Sequence, residues 1–233
     1  DLQWGAVELY IATGERPYLD AARRYAPQAG DNPWMGRDRH GHYEFFPYVN
    51  LAHWRLYEHA PQEARAQLAE FYRAGLERIR ERAVQNPYRL GTPLVWCSTN
   101  NVTALATQAV LYERMTGDDR YRELAAEARD WLLGRNPWGV SMVIGAPAGG
   151  RFASRPHHLF YKLDDHLPVG GVVDGPVPKD INDSLKFEPF GDEELAPFQS
   201  DVAVYHDQFA DFSTNEPIID GTVALLLLLE LWP

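Results

Sequence analysis

A single cysteine, Cys97, stands among 233 residues, which leaves no partner for an internal disulfide and no material for a multi-cysteine zinc site. Basic residues are scarce too. With 22 Lys and Arg against 33 Asp and Glu the formal charge is −11, and so acidic a chain lacks the basic patches that release counterions from nucleic acid. The longest apolar run, residues 223–229, falls well short of the roughly 20 residues that span a bilayer, and no basic-then-apolar leader opens the chain. Sustained alternation of apolar and polar residues is also missing, so the expected class is all-α. Neither nucleic acid nor a membrane is an expected partner.

What is present is helical periodicity over a soluble balance of 45% hydrophobic and 24% charged residues, which excludes wholesale disorder. Leu68, Phe71, Tyr72, Leu76, Ile79 and Ala83 follow steps of three and four, and so do Tyr121, Leu124, Ala125, Ala128, Trp131 and Leu132. Helices are predicted near 3–12, 17–26, 43–59, 62–84, 99–115, 118–133 and 216–231. An internal echo joins them: Thr13-Gly14-Glu15-Arg16-Pro17-Tyr18 returns as Thr116-Gly117-Asp118-Asp119-Arg120-Tyr121, 103 positions later. Helical hairpins repeated in this way suggest a toroid or solenoid. An open end of such an array would expose apolar surface, and the chain enters a helix almost at once around Trp4, so further sequence is expected ahead of it.

Residues 135–215 break the pattern. They are rich in Gly, Pro, His and Asp, and loops this long within a domain are usually functional or disordered. Aromatics such as Trp138, Phe152, Tyr205 and Phe212 argue for order, and the segment is expected to wall a site. Its end carries Asp201, Asp207, Asp211 and Glu216 within sixteen residues, and converging carboxyls cannot all ionise cheaply in a partly dry cleft. Glu216, at the start of a very apolar stretch, is a candidate acid whose pKa burial would raise, with Asn215 and nearby hydroxyls to orient it. The alternative is a helix N-terminal carboxylate favoured by the dipole, with Asp207 and Asp211 facing water. His157 and His158 could hydrogen-bond a ligand's hydroxyls, whereas adjacent histidines in extended chain diverge, which argues against a metal site. Trp96 and Trp138 could stack on the flat face of a ligand or simply pack. The polar and aromatic loop 34–43 is either a second wall or an exposed turn. Asp164, Asp165, Asp180, Asn182 and Asp183 offer oxygens for a structural calcium, without a regular calcium loop.

Several motifs together resemble glycoside hydrolase family 9. Tyr205-x-Asp207-x4-Phe212-x3-Glu216 resembles its C-terminal signature, in which the glutamate is the proton donor. Leu133-Gly134-Arg135-Asn136-Pro137-Trp138-Gly139-Val140-Ser141 is similar to the family's L-G-x-N-P-W-G-x-S stretch. Arg151-x4-Pro156-His157 resembles its substrate-binding histidine motif, and Trp96-Cys97-Ser98-Thr99-Asn100-Asn101 resembles the turn before a barrel helix. Leu159 departs from an expected arginine. Ser213-Thr-Asn-Glu-Pro-Ile-Ile-Asp-Gly-Thr222 and Gly170-Gly171-Val-Val-Asp174-Gly175-Pro176 resemble instead a bacterial branch with N-E-P-x-x-D-G-T, whose substrates are less uniformly cellulose.

The resemblance implies an (α/α)6 barrel, extracellular or periplasmic, that cleaves β-1,4-glucosidic bonds with inversion and without an organic cofactor. Residues 1–233 would be the C-terminal portion of one barrel domain, because about seven of twelve helices are present. Glu216 is then the acid, Asp207 a positioning residue, and His157, His158, Tyr205, Trp96 and Trp138 the substrate contacts, with no metal among the site residues. The family's aspartate base has no equivalent here: Ala29-Gly30-Asp31 is similar to part of its motif but lies at the wrong place in the helix order. The N-terminal half of the barrel is thus an expected partner, together with a β-glucan chain. An exo-acting glucosidase or glucosaminidase of the same family and a non-catalytic carbohydrate-binding remnant are the alternatives, while an unrelated helical-repeat interaction protein would leave the motifs as coincidences.

Overall fold

The computed structural model describes residues 2–30, 48–188, 190 and 194–232. Helices dominate, as expected of an all-α chain. The first six are α1 (Leu2–Thr13), α2 (Arg16–Gly30), α3 (Tyr48–His59), α4 (Gln62–Ala83), α5 (Ser98–Thr116) and α6 (Arg122–Leu132). The sequence echo marks two helix ends built alike. Thr13 Oγ bonds the Leu9 carbonyl and Thr116 Oγ the Tyr112 carbonyl, while each oxygen accepts the amide two residues on. Gly14 and Gly117 follow at φ of 72° and 74°, the left-handed turn that ends a helix and that glycine adopts without Cβ conflict. The second helix begins later than periodicity predicts, at Arg122 rather than 118. The Asp118 carboxylate takes the Arg120 amide and guanidinium instead, which holds 118–121 in a turn.

Two cores lie along this array. Val7, Leu19, Ala22, Leu56 and Leu68 bury the first, among α1 to α4. The second surrounds α5, of whose 19 residues 15 are buried, and α4, α6 and the C-terminal helix pack on it. Polar residues survive inside α5 because Thr103 and Thr107 return their hydroxyls to the carbonyls of Thr99 and Thr103, which satisfies them within the helix.

The long loop is pinned to this second core. It holds α7 (Leu159–Asp164), β1 (Val172–Val173), β2 (Val177–Pro178), α8 (Lys179–Ser184), β3 (Ala203–Val204) and α9 (Phe212–Asn215), followed by β4 (Pro217–Ile218) and α10 (Ile219–Leu231). β1 pairs with β4 and β2 with β3, both antiparallel. Strands of two residues carry no alternation, so no local pattern announces them. The last helix therefore starts at Ile219 rather than 216, because Pro217 and Ile218 pair with β1. One stripe of α10 is bare: Ile219, Val223, Leu226 and Leu229 are 85%, 57%, 61% and 51% exposed. No helix of the described residues is long and apolar enough to cross a membrane. The predicted start of α3 at 43, the loop 34–43 and Asp31 lie outside the described residues.

Candidate active site

Glu216 is placed by its neighbours' backbone. It follows α9, whose first turn is capped by Asp211: Oδ1 accepts the Ser213 amide and hydroxyl at 2.9 and 2.6 Å and the Thr214 amide at 3.2 Å. Oδ2 meets His206 Nδ1 at 2.7 Å and Asn182 Nδ2 at 3.0 Å. Burial alone would raise this carboxyl, but the His206, Ser213 and Thr214 contacts outweigh it and hold Asp211 below the usual range. The carbonyls on either side of the next peptide are then clamped, Asn215 by the His157 amide at 2.8 Å and Glu216 by the Asp174 amide at 2.9 Å. Glu216 itself is exposed. Its expected burial at the head of the apolar helix is corrected by β4, which places two residues between the carboxyl-bearing residue and α10.

Asp207 sits behind this peptide, buried rather than facing water. Its carboxylate accepts the Ser154 amide and hydroxyl, the Arg155 amide at 2.9 Å and Asn215 Nδ2 at 3.1 Å. Asn215 also donates to the Arg155 carbonyl at 2.8 Å and accepts from the Tyr205 hydroxyl at 3.0 Å. The segment 154–157 and the residue before Glu216 are thereby fastened to one carboxylate.

An aromatic row flanks the site. His157 stacks on Phe209 with centroids 4.9 Å apart and meets Phe212 edge-on at 5.9 Å, and Trp96 lies 6.1 Å from Phe212. His157 and Trp96 are half-buried, so each keeps a surface toward solvent. Phe187, 5.2 Å from Phe212, leads to a cavity of about 410 Å3 lined by Lys179, Asn182, Phe190, Gln199 and His206.

Three of the residues expected to touch substrate do not join this row. Tyr205 and Trp138 are 0% and 4% exposed. Their rings pack against each other at 6.0 Å, and the indole nitrogen donates to Gln199 Oε1 at 3.1 Å. Both are corrected from sugar contacts to supports of the wall. His158 turns away, as adjacent residues in extended chain do: its Nδ1 accepts the Phe160 amide at the head of α7 and its ring meets Phe160. Glu216, Asp207, His157 and Trp96 are linked through Asn215, Asp174 and Phe212.

Sequence reasoning missed Asp174. Buried at 1% exposure, it accepts the Trp96 indole N–H at 3.3 Å on Oδ2, and its carbonyl takes the Thr99 amide and hydroxyl. Cys97, between these contacts, is held at φ 56°, a left-handed conformation that a non-glycine residue keeps only when its surroundings over-determine it. Burial pushes the Asp174 carboxyl up to about 7 against hydrogen bonds from Cys97 and Trp96, and the Glu216 and Asp220 carboxylates add to the rise. The run Asp174-Gly175-Pro176 was the visible signal, since aspartate before a left-handed glycine marks a tight, close-packed turn. For calcium, the described residues bring together no group of three or more His, Cys, Asp or Glu side chains able to hold a metal, and Asp183 is already paired with the Lys179 ammonium at 2.7 Å.

Comparison with known proteins agrees with this arrangement. The model of the family described as glycosyl hydrolase family 9 matches residues 1–229. A xyloglucan-specific endo-beta-1,4-glucanase of Bacteroides ovatus, BoGH9A, is 26% identical over 97% of this chain and 37% of its own length. Endoglucanase 21 of Oryza sativa subsp. japonica is 30% identical over 74% of this chain and 38% of its own length. Among solved structures, a metagenome-derived family 9 endoglucanase superposes with a TM-score of 0.73 at 22% identity, covering 98% of this chain and 39% of that one. AaCel9A in complex with cellobiose-like isofagomine gives 0.73 at 21%, covering 100% and 43%. The fold is that of the family's (α/α)6 barrels, of which this chain spans about two fifths.

Proposed function

Because the chain belongs to glycosyl hydrolase family 9, we propose that it forms the C-terminal portion of the barrel of a secreted or periplasmic enzyme that hydrolyses β-1,4-glucosidic bonds by inversion. Glu216 is the proton donor to the leaving oxygen. Asp207 positions it by holding Asn215, and His157 and Trp96 meet the sugar. The observation that carries this reading is an exposed carboxyl whose two flanking carbonyls are clamped, beside a row of half-buried rings suited to the C–H-rich faces of pyranoses. Inversion also needs a base roughly 6.5–9.5 Å from the acid, across the sugar, to activate water. Asp174 cannot serve, because it is buried on the same ladder as Glu216. The base therefore comes from outside the described residues. The short coverage of the relatives and the bare apolar stripe of α10 support a seat for the remaining barrel helices.

The reading is tested by following the whole catalytic domain on a soluble cello-oligosaccharide by proton NMR. Early accumulation of the α-anomer at the new reducing end is the expected result, and early β-anomer would overturn inversion. Cleavage at internal bonds is expected, whereas release of terminal units alone marks the exo-acting glucosidase or glucosaminidase. The lack of a base among the described residues favours one second reading, a non-catalytic carbohydrate-binding remnant. Oligosaccharide binding without reducing-end release, in protein shown to hold no upstream half, would establish it.

A further inference from the structure

The main chain of Asp174 is fixed on both sides without help from its carboxyl. Its amide donates to the Glu216 carbonyl at 2.9 Å, its carbonyl accepts both the Thr99 amide and the Thr99 hydroxyl at 3.2 Å, and the Gly175 amide that follows donates to the Thr214 carbonyl at 3.0 Å. The side chain is 1% exposed, and burying a carboxyl is costly unless it is hydrogen-bonded. It turns toward the residues that precede α5: Oδ2 accepts the Trp96 indole N–H at 3.3 Å, and the Cys97 thiol adds a second bond. Trp96 is half-buried, with the Phe212 ring 6.1 Å away at a tilt of 30°. Contact between rings tolerates several offset geometries, whereas a hydrogen bond weakens steeply once its angle is lost. The bond to Asp174 therefore decides where the free surface of the indole points.

We propose that Asp174 is a positioning residue for Trp96: its main chain ties it to the Glu216 carbonyl and its carboxyl oxygen holds the indole, so the ring stands at a set offset from Glu216 along one sugar chain. The inference rests on the reading of Trp96 as a sugar contact, and on the titration of neither carboxyl. It separates two roles within one residue. Leucine in place of Asp174 keeps the branched shape and every main-chain bond but offers the indole no acceptor. Asparagine keeps an oxygen for the indole. A side chain that merely filled its site would make leucine and asparagine equivalent for sugar binding, whereas one that aims the ring separates them.

The test is a double-mutant cycle on the whole catalytic domain, read as affinity for a sulfur-linked cellotetraose, which resists hydrolysis and so reports binding whatever group serves as acid. Trp96→Ala is expected to weaken binding about tenfold, the loss of one aromatic face. Asp174→Leu should weaken it about fivefold, and Asp174→Asn should stay within about twofold. Because Asp174 acts through the ring, Trp96→Ala combined with Asp174→Leu should bind no more weakly than Trp96→Ala alone. Losses that multiply in the double variant would overturn the inference, since a general disturbance of the strand acts whether or not the indole is present. Equal affinity in Asp174→Leu and the unsubstituted domain would overturn it as well. Unchanged affinity in Trp96→Ala would overturn it together with the reading of Trp96 as a sugar contact, which the other two outcomes leave standing. Should Asp174→Leu fail to fold, hydrogen exchange of the Trp96 indole in the unsubstituted domain and in Asp174→Asn decides the matter. Slowed exchange in both is expected, and exchange as fast as that of a free indole would overturn the inference.

Discussion

At the residue scale, two buried ionisable groups oppose each other in their effect on stability. His53 is buried with neither ring nitrogen hydrogen-bonded, and burial lowers its pKa to about 3 from 6.5. The unfolded chain therefore binds the extra proton between these values, and stability present above 6.5 is lost as pH falls toward 3. Asp174 has the opposite sign. Raised to about 7 from 3.8, it keeps a proton that the unfolded chain releases, so its contribution is full below 3.8 and is lost as pH rises to 7. Each group is worth roughly 1.4 kcal/mol per pH unit within its window, and where the windows overlap the slopes cancel. Urea unfolding at pH 4.5 and 6 reads this directly. His53→Leu is expected to be about 2 kcal/mol less stable at the higher pH relative to the lower, and Asp174→Asn to show the reverse. Parallel pH dependence in both variants would contradict the assignment.

At the element scale, the glycines in left-handed turns divide by what surrounds them. Gly117, ending α5, has open space where a Cβ would stand, whereas a Cβ on Gly175 would lie 2.6 Å from Thr99 Cγ2 and 3.0 Å from Ser98 Oγ. Gly117→Ala is expected to cost about 1 kcal/mol, the conformational penalty alone. Gly175→Ala adds a clash and should cost about 3 kcal/mol, moving Asp174 away from Trp96. Thermal unfolding of the two variants side by side checks the difference, and equal costs would contradict the close approach of this loop to α5. The same contrast explains what sequence could reveal. The periodic faces of α4 and α6 were legible because burial repeats every three or four residues: Leu68, Tyr72, Leu76 and Ile79, and Leu124, Ala128 and Trp131, all lie inside. The two-residue strands were not, since pairing fixed by long-range contacts leaves no local period, and Pro217 took Glu216 out of the helix that the apolar run suggested.

At the scale of the whole molecule, the candidate site is assembled on one segment that doubles back upon itself. Residues 154–157, 174, 207 and 211–216 meet through backbone amides and one carboxylate each from Asp207 and Asp211, all anchored on α5 through Thr99. Motif spacing singled out Glu216, Asp207, His157 and Trp96, because those residue types recur at fixed intervals. It could not distinguish an aromatic that faces a cleft from one that supports it, which is why Tyr205 and Trp138 were misplaced, and it passed over Asp174, whose partners lie 78 and 42 positions away. In the proposed reading Glu216 is the acid and the base lies outside the described residues, so the central claim is best measured on the whole catalytic domain. Glu216→Gln is compared with the unsubstituted enzyme on two aryl cellobiosides, one with a good and one with a poor leaving group. Loss of about 100- to 10,000-fold on the poor leaving group, with the good one largely spared because it departs without a proton, is the expected result. Full turnover of the poor leaving group by Glu216→Gln would contradict the account.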